Sequence, residues 1–135
     1  MDWTCEDGSH QGCASSGAAF CLAIHPSILA ADEALARSSG FARFFADDGY
    51  LCGEPGAVLE ALGVFEKQVK KECGLDLNRG KTEWHAATAA TAHEVRARME
   101  EEGLKEGVGE GADGGRGIIV TGIPVGDEAY EKDYM

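Results

Sequence analysis

Apolar residues recur at steps of three and four in two long stretches of the chain, and at steps of two in the segment between them. From Ala18 to Ala36, Cys21, Ile24, Ile28 and Leu35 fall at helical spacing. Ser15 or Ser16 can cap the start, and Ser38-Ser39-Gly40 ends the run. Pro26 lacks a backbone donor, so it kinks this helix or begins a second segment. In the next segment Phe41, Arg43 and Phe45 alternate with Ala42, Phe44 and Ala46, and Tyr50-Leu51-Cys52 supplies a return strand. Asp48-Gly49 between them tolerates positive φ and reads as the turn pair. Asp47 and Asp48 are therefore expected at the tip of a β-hairpin.

The second periodic run starts at Pro55, a residue suited to the first turn of a helix. Val58, Leu62, Phe65, Val69 and Cys73 share one face, Lys70 and Lys71 suit the C-terminal end of the helix dipole, and Gly74 supplies a stop. Leu75-Asp76-Leu77 alternates like a short strand and leads into a turn, Asn78-Arg79-Gly80-Lys81. A third helix is expected over about residues 86–105, with a thin apolar face of Val95 and Met99. A glycine-rich loop follows, placed as an insertion over about 103–117. Gly117-Ile118-Ile119-Val120-Thr121 reads as a short buried strand, and residues 127–135 as a frayed acidic tail. Pairing of the hairpin with that later strand, and helices packed on one face, gives an α+β layer.

Composition narrows the function classes. A chain of 135 residues is one domain or part of one, and 44% hydrophobic content allows an ordinary core. No apolar run looks long enough to span a bilayer, and Met1-Asp2-Trp3-Thr4-Cys5-Glu6-Asp7 lacks the basic start of a signal peptide. The five cysteines have no paired spacing, so reduced thiols in an intracellular protein, cytoplasmic or nuclear and not secreted, are expected. Cys21, Cys52 and Cys73 read as small core residues, and His25 as a packing residue. Cys5, His10 and Cys13 are close in sequence but lack a Cys-x-x-Cys pair and a fourth zinc ligand. A net charge of −12 opposes nucleic-acid binding by bulk electrostatics.

The adjacent carboxylates of Asp47 and Asp48 repel, and a divalent cation is a common compensator; alone, an Asp-Asp-Gly stretch is more often a solvated turn than a metal site. The wider motif order adds to this. Gln11-Gly12 precedes an apolar helix containing Phe20-Cys21-Leu22-Ala23-Ile24-His25-Pro26. Phe45-Ala46-Asp47-Asp48 has the form aromatic-x-Asp-Asp. Gly74-Leu75-Asp76-Leu77-Asn78-Arg79-Gly80-Lys81-Thr82-Glu83 follows the second helix, and Val120-Thr121-Gly122-Ile123-Pro124-Val125-Gly126 comes later. In this order the four segments resemble the palm of reverse transcriptases, RNA-directed DNA polymerases of retroelements without long terminal repeats.

The resemblance implies a partial, ferredoxin-like palm over residues 1–126, with metal-dependent nucleotidyl transfer to a primer 3′ end as the parent activity. It implies that Asp47 and Asp48 are catalytic and hold Mg²⁺, and that Gln11, Gly12 and Phe45 lie by template, primer and incoming nucleotide. It implies Lys81 near the leaving pyrophosphate. The family's further metal-binding aspartate and its basic fingers have no counterpart before Gln11. A truncated palm, inactive alone, is therefore expected. The alternative is a non-catalytic acidic α+β interaction module or a retroelement remnant. RNA template, DNA primer and dNTP are the parent family's partners, and an exposed sheet edge would favour self-association.

Overall fold

Two amphipathic helices and the hairpin between them account for the first half of the molecule. In a computed structural model describing residues 15–109 and 115–134, the elements are four α-helices and three two-stranded sheets, an α+β arrangement. The chain divides into two compact units, Met1–Asp76 and Leu77–Met135. Gln11, Gly12 and the Cys5, His10, Cys13 group lie outside the described residues.

In the first unit, α1 (Ser16–Ala36) runs unbroken through Pro26. Ile24, Ser27, Ala31 and Leu35, spaced three or four apart, are its buried stripe. Helix α2 (Pro55–Cys73) has Pro55 in its first turn and ends at Gly74, whose φ of 66° is the left-handed conformation that stops a helix. It buries Leu62, Phe65 and Val69 of the expected face with Ala61 beside them, leaves Val58 and Cys73 half-buried, and packs against α1. By length and composition α1 is apolar enough to cross a membrane, which corrects the expectation that no run is long enough. In this structure its buried stripe serves as core.

Strands β1 (Phe41–Phe45) and β2 (Asp48–Cys52) pair antiparallel, from Phe41 with Cys52 to Phe45 with Asp48. This register shifts the turn from Asp48-Gly49 to Ala46-Asp47, with φ of 52° at Ala46. The shift has a packing cause. The Phe44 ring lies over Gly49, directly opposite on β2, where any Cβ would collide with it. The same ring meets Phe65 of α2 at 4.9 Å between centroids, and Ala42, two residues earlier, is buried. One hairpin face thus sits on the helices, and Gly49 serves cross-strand packing.

The second unit departs further from expectation. Leu75 to Asn78 is irregular and precedes a 3₁₀ turn, Arg79–Lys81. Strand β3 (Glu83–Trp84), helix α3 (Ala89–Glu101) and strand β4 (Lys105–Glu106) form a short parallel β-α-β unit. Thr88 caps α3 by accepting the Thr91 N–H at 3.2 Å. The helix stops before Lys105 because Gly103 adopts φ of 75° and Leu104 N–H returns to the Met99 carbonyl. Ala92, Val95 and Met99 are its narrow buried face.

Strand β5 (Gly117–Val120) pairs antiparallel with β6 (Ile123–Gly126) through the turn Thr121-Gly122, where both φ values are positive. The expected pairing of β5 with the first hairpin is replaced by this second hairpin. Strand β5 is half-exposed instead of buried: Ile119 is solvent-facing, Ile118 and Val120 are half-buried, and Ile123 of β6 is exposed across from Val120. The proposed loop insertion contains β4, and its ends are joined by a bridge between Val108 and Arg116. The expected frayed tail is a helix, α4 (Glu128–Tyr134), held by Tyr130, which is 2% exposed and packs over Gly117.

Candidate functional site

The aromatic-x-Asp-Asp box occupies the first hairpin tip. Phe45 ends β1, Ala46 and Asp47 form the turn, and Asp48 begins β2 opposite Phe45. Strand alternation puts Phe45, Arg43 and Phe41 on the face away from the helices, with Asp48, Tyr50 and Cys52 across from them. Phe45 is 69% exposed, and both aspartates are exposed. The guanidinium of Arg43 lies 5.2 Å from the Phe41 ring centroid and 3.4 Å from Asp32.

The strand edge beside the box is covered at one position. Ala42 N–H donates to Asp32 Oδ1 at 2.8 Å, and Arg43 Nη1 donates to the Ala42 carbonyl at 2.7 Å. Edge-to-edge addition finds neither backbone group available at Ala42.

Among the expected site residues, the structure brings Phe45, Asp47 and Asp48 together. Lys81 is exposed at the end of the 3₁₀ turn in the second unit. Cys21 and Cys52 are exposed and Cys73 is half-buried, against the expectation of core thiols; His25 is exposed as well. Cys21 and Cys52 share their elements with apolar neighbours but are left exposed, Cys21 at the margin of α1's buried stripe and Cys52 on the outer face of the hairpin.

No group of three His, Cys, Asp or Glu residues able to hold a metal ion occurs among the described residues. Two adjacent exposed carboxylates on a turn supply too few ligands for a two-metal centre, which needs carboxylates converging from separate elements. The chain matches no protein-family model, no curated protein and no solved structure.

A second polar cluster lies in the second unit, and the sequence offered little signal for it. Glu106, with 15% of its side chain exposed, stands 2.9 Å from Arg96 of α3 and 3.5 Å from Arg116. The contact with Arg96 is hydrogen-bonded; that with Arg116 is an ion pair without hydrogen-bond geometry. Trp84 Nε1 and His85 Nδ1 are buried in the same unit without acceptors or donors among the described residues. Asp127 accepts the Arg116 N–H at 2.9 Å and the Tyr130 N–H at 3.0 Å. These backbone bonds hold its carboxyl below the ordinary range. A shallow concavity along α4, lined by Asp127, Glu128, Ala129, Lys132 and Asp133, has one cation, Lys132, and that is paired with Glu128 at 2.6 Å. The second cluster ties structural elements together and leaves no open arrangement of catalytic groups.

Proposed function

We propose that the chain is a palm-type element of the reverse-transcriptase kind, with a ferredoxin-like palm as its parent fold and nucleotidyl transfer as its parent activity. The observation that carries this reading is the position of Phe45-Ala46-Asp47-Asp48 across a hairpin tip, with a long helix before it and another after it. In that arrangement the turn projects Asp47 and Asp48 away from the helices, and Phe45 flanks them. Gln11, Gly12 and Lys81 are the further positions assigned to template and nucleotide by the motif order.

The carboxylates among the described residues do not form a complete Mg²⁺ centre, so no reaction step is assigned to this chain alone. In its present form it is a non-catalytic palm element that needs a further carboxylate from elsewhere to bind metal tightly. Its −12 charge makes strong binding to an RNA template or DNA primer by the isolated chain unfavourable.

A Mn²⁺ titration followed by NMR relaxation tests the metal role. The expected outcome is weak paramagnetic broadening centred on residues 45–49, lost in Asp47→Asn. Equal broadening in both proteins removes the metal role. A primer-extension assay tests the other half: template-dependent extension that disappears in Asp47→Asn would overturn the non-catalytic reading.

A further inference from the structure

The two edges of the first hairpin differ in what occupies them. Phe45 and Asp48 flank the turn as a hydrogen-bonded pair, and ladder alternation makes Arg43-Tyr50 and Phe41-Cys52 hydrogen-bonded pairs as well. The residues between them direct their backbone groups away from the partner strand: Ala42 and Phe44 on β1, Gly49 and Leu51 on β2. On β1 the outward N–H and C=O of Ala42 are taken by Asp32 and Arg43. On β2 the outward N–H and C=O of Gly49 and Leu51 have no partner among the described residues, and no third strand joins the sheet. An unpaired strand edge is a template for another extended segment.

We propose that the β2 edge accepts an extended cationic peptide as a third, antiparallel strand. Charge complementarity names the occupant. Strand β2 and its flanks hold three exposed carboxylates, Asp47, Asp48 and Glu54, and no Lys or Arg. The hairpin's one cation, Arg43, stands on the other strand and is engaged by Asp32 and the Phe41 ring. A second copy would bring its own carboxylates to the same edge, in a chain of net charge −12. The pleat sets the pattern of the peptide. Leu51 is half-buried and shares the helix-facing side with Ala42, its partner, so the peptide residues opposite Gly49 and Leu51 are apolar. The residues between them lie on the outer face beside Asp48 and are lysine or arginine. Main-chain bonds supply the affinity and the alternate side chains the selectivity. Two residues' worth of backbone bonds gives a dissociation constant on the order of a millimolar. This occupancy is independent of the palm reading, since no metal or nucleotide enters it.

The probe is a capped peptide of alternating lysine and valine, titrated into the isotope-labelled full chain and followed by NMR. The expected result is a saturable downfield shift of the Gly49 and Leu51 amide protons, with slower hydrogen exchange at both. N-methylation of the valines, whose N–H groups would face β2, weakens binding by about tenfold or more while leaving the peptide's charge unchanged. Replacing the lysines by glutamates abolishes the shifts, and Asp48→Asn weakens the lysine peptide about two- to fivefold. Absence of these shifts with the lysine peptide would overturn the proposal. So would equal binding of the N-methylated peptide, which reduces the contact to bulk charge, or equal binding of the glutamate peptide. Gly49 and Leu51 shifts that follow protein concentration without any peptide would give the edge to a second copy and overturn it too.

Discussion

Asp32 on α1 accepts the backbone N–H of Ala42 on β1 at 2.8 Å, ten residues away in sequence. One carboxylate thereby joins the end of the helix to the strand leading to the hairpin tip. It also occupies a donor that would otherwise face an incoming strand. Asp32→Ala is expected to cost about 1 kcal/mol, the scale of one hydrogen bond with a charged acceptor that is partly solvated. Urea unfolding measures the loss. Thioflavin-positive aggregation faster than in the native protein is the expected companion, since the Ala42 edge is then open.

Ala46 stands at φ of 52° in the first hairpin turn. The left-handed conformation costs a residue with a Cβ about 1–2 kcal/mol, and glycine avoids that cost while losing some unfolded-state entropy. Ala46→Gly is therefore expected to stabilise the protein by about 0.5–1 kcal/mol in urea titration. Gly49→Ala is expected to destabilise it, because the Phe44 ring covers that position. The reverse order of these two effects would return the turn to Asp48-Gly49.

Glu106 lies between two guanidinium groups and is largely buried. Removing it deprives the partly buried Arg116 guanidinium of its nearest ion-pair partner, leaving Asp127 as the remaining neighbouring carboxylate. Glu106→Ala is expected to cost about 1–2 kcal/mol, between an exposed ion pair and a fully buried one, because both cations keep part of their solvent contact. Arg96→Ala, whose side chain is 41% exposed, is expected to cost less. Thermal unfolding of the two variants side by side measures the difference.

Asp127 gives the second unit an acid-sensitive point. Its carboxyl titrates below the ordinary 3.8 because Arg116 and Tyr130 backbone N–H groups donate to the charged form. A folded-state value below the unfolded one means that its contribution is fully present above the unfolded pKa. It is lost as pH falls through the lowered folded pKa. NMR titration of the Asp127 side-chain carbonyl is expected to show a midpoint below 3.8, with the Tyr130 ring signals changing over the same pH range. In Asp127→Asn the Tyr130 response at that midpoint should disappear.

Helix α2 was the most legible element. Its apolar spacing, Pro55 and Gly74 all agree locally, and the structure bears out each one. The existence of the first hairpin was also legible from the alternation around Phe41 to Cys52, although its turn was not. Asp-Gly is a good turn pair in isolation, but Phe44 needs a residue without a side chain across the strand, and Gly49 meets that need. Cys21 and Cys52 show the same limit: apolar neighbours in sequence did not tell which face would be covered.

The second unit was much less legible. Its β-α-β strands are two residues each, too short for periodicity to register. The acidic tail read as polar and loose because Tyr130 finds its packing partner, Gly117, and Asp127 its backbone partner, Arg116, only once β5 and β6 have paired. Of the candidate site, the sequence by itself determined the aromatic-x-Asp-Asp box and its place between two helices, since local spacing and turn chemistry act within a few residues. Only the tertiary structure decided the turn register, the faces of the cysteines and the absence of a third carboxylate beside the pair among the described residues, because each depends on side chains brought together from distant elements.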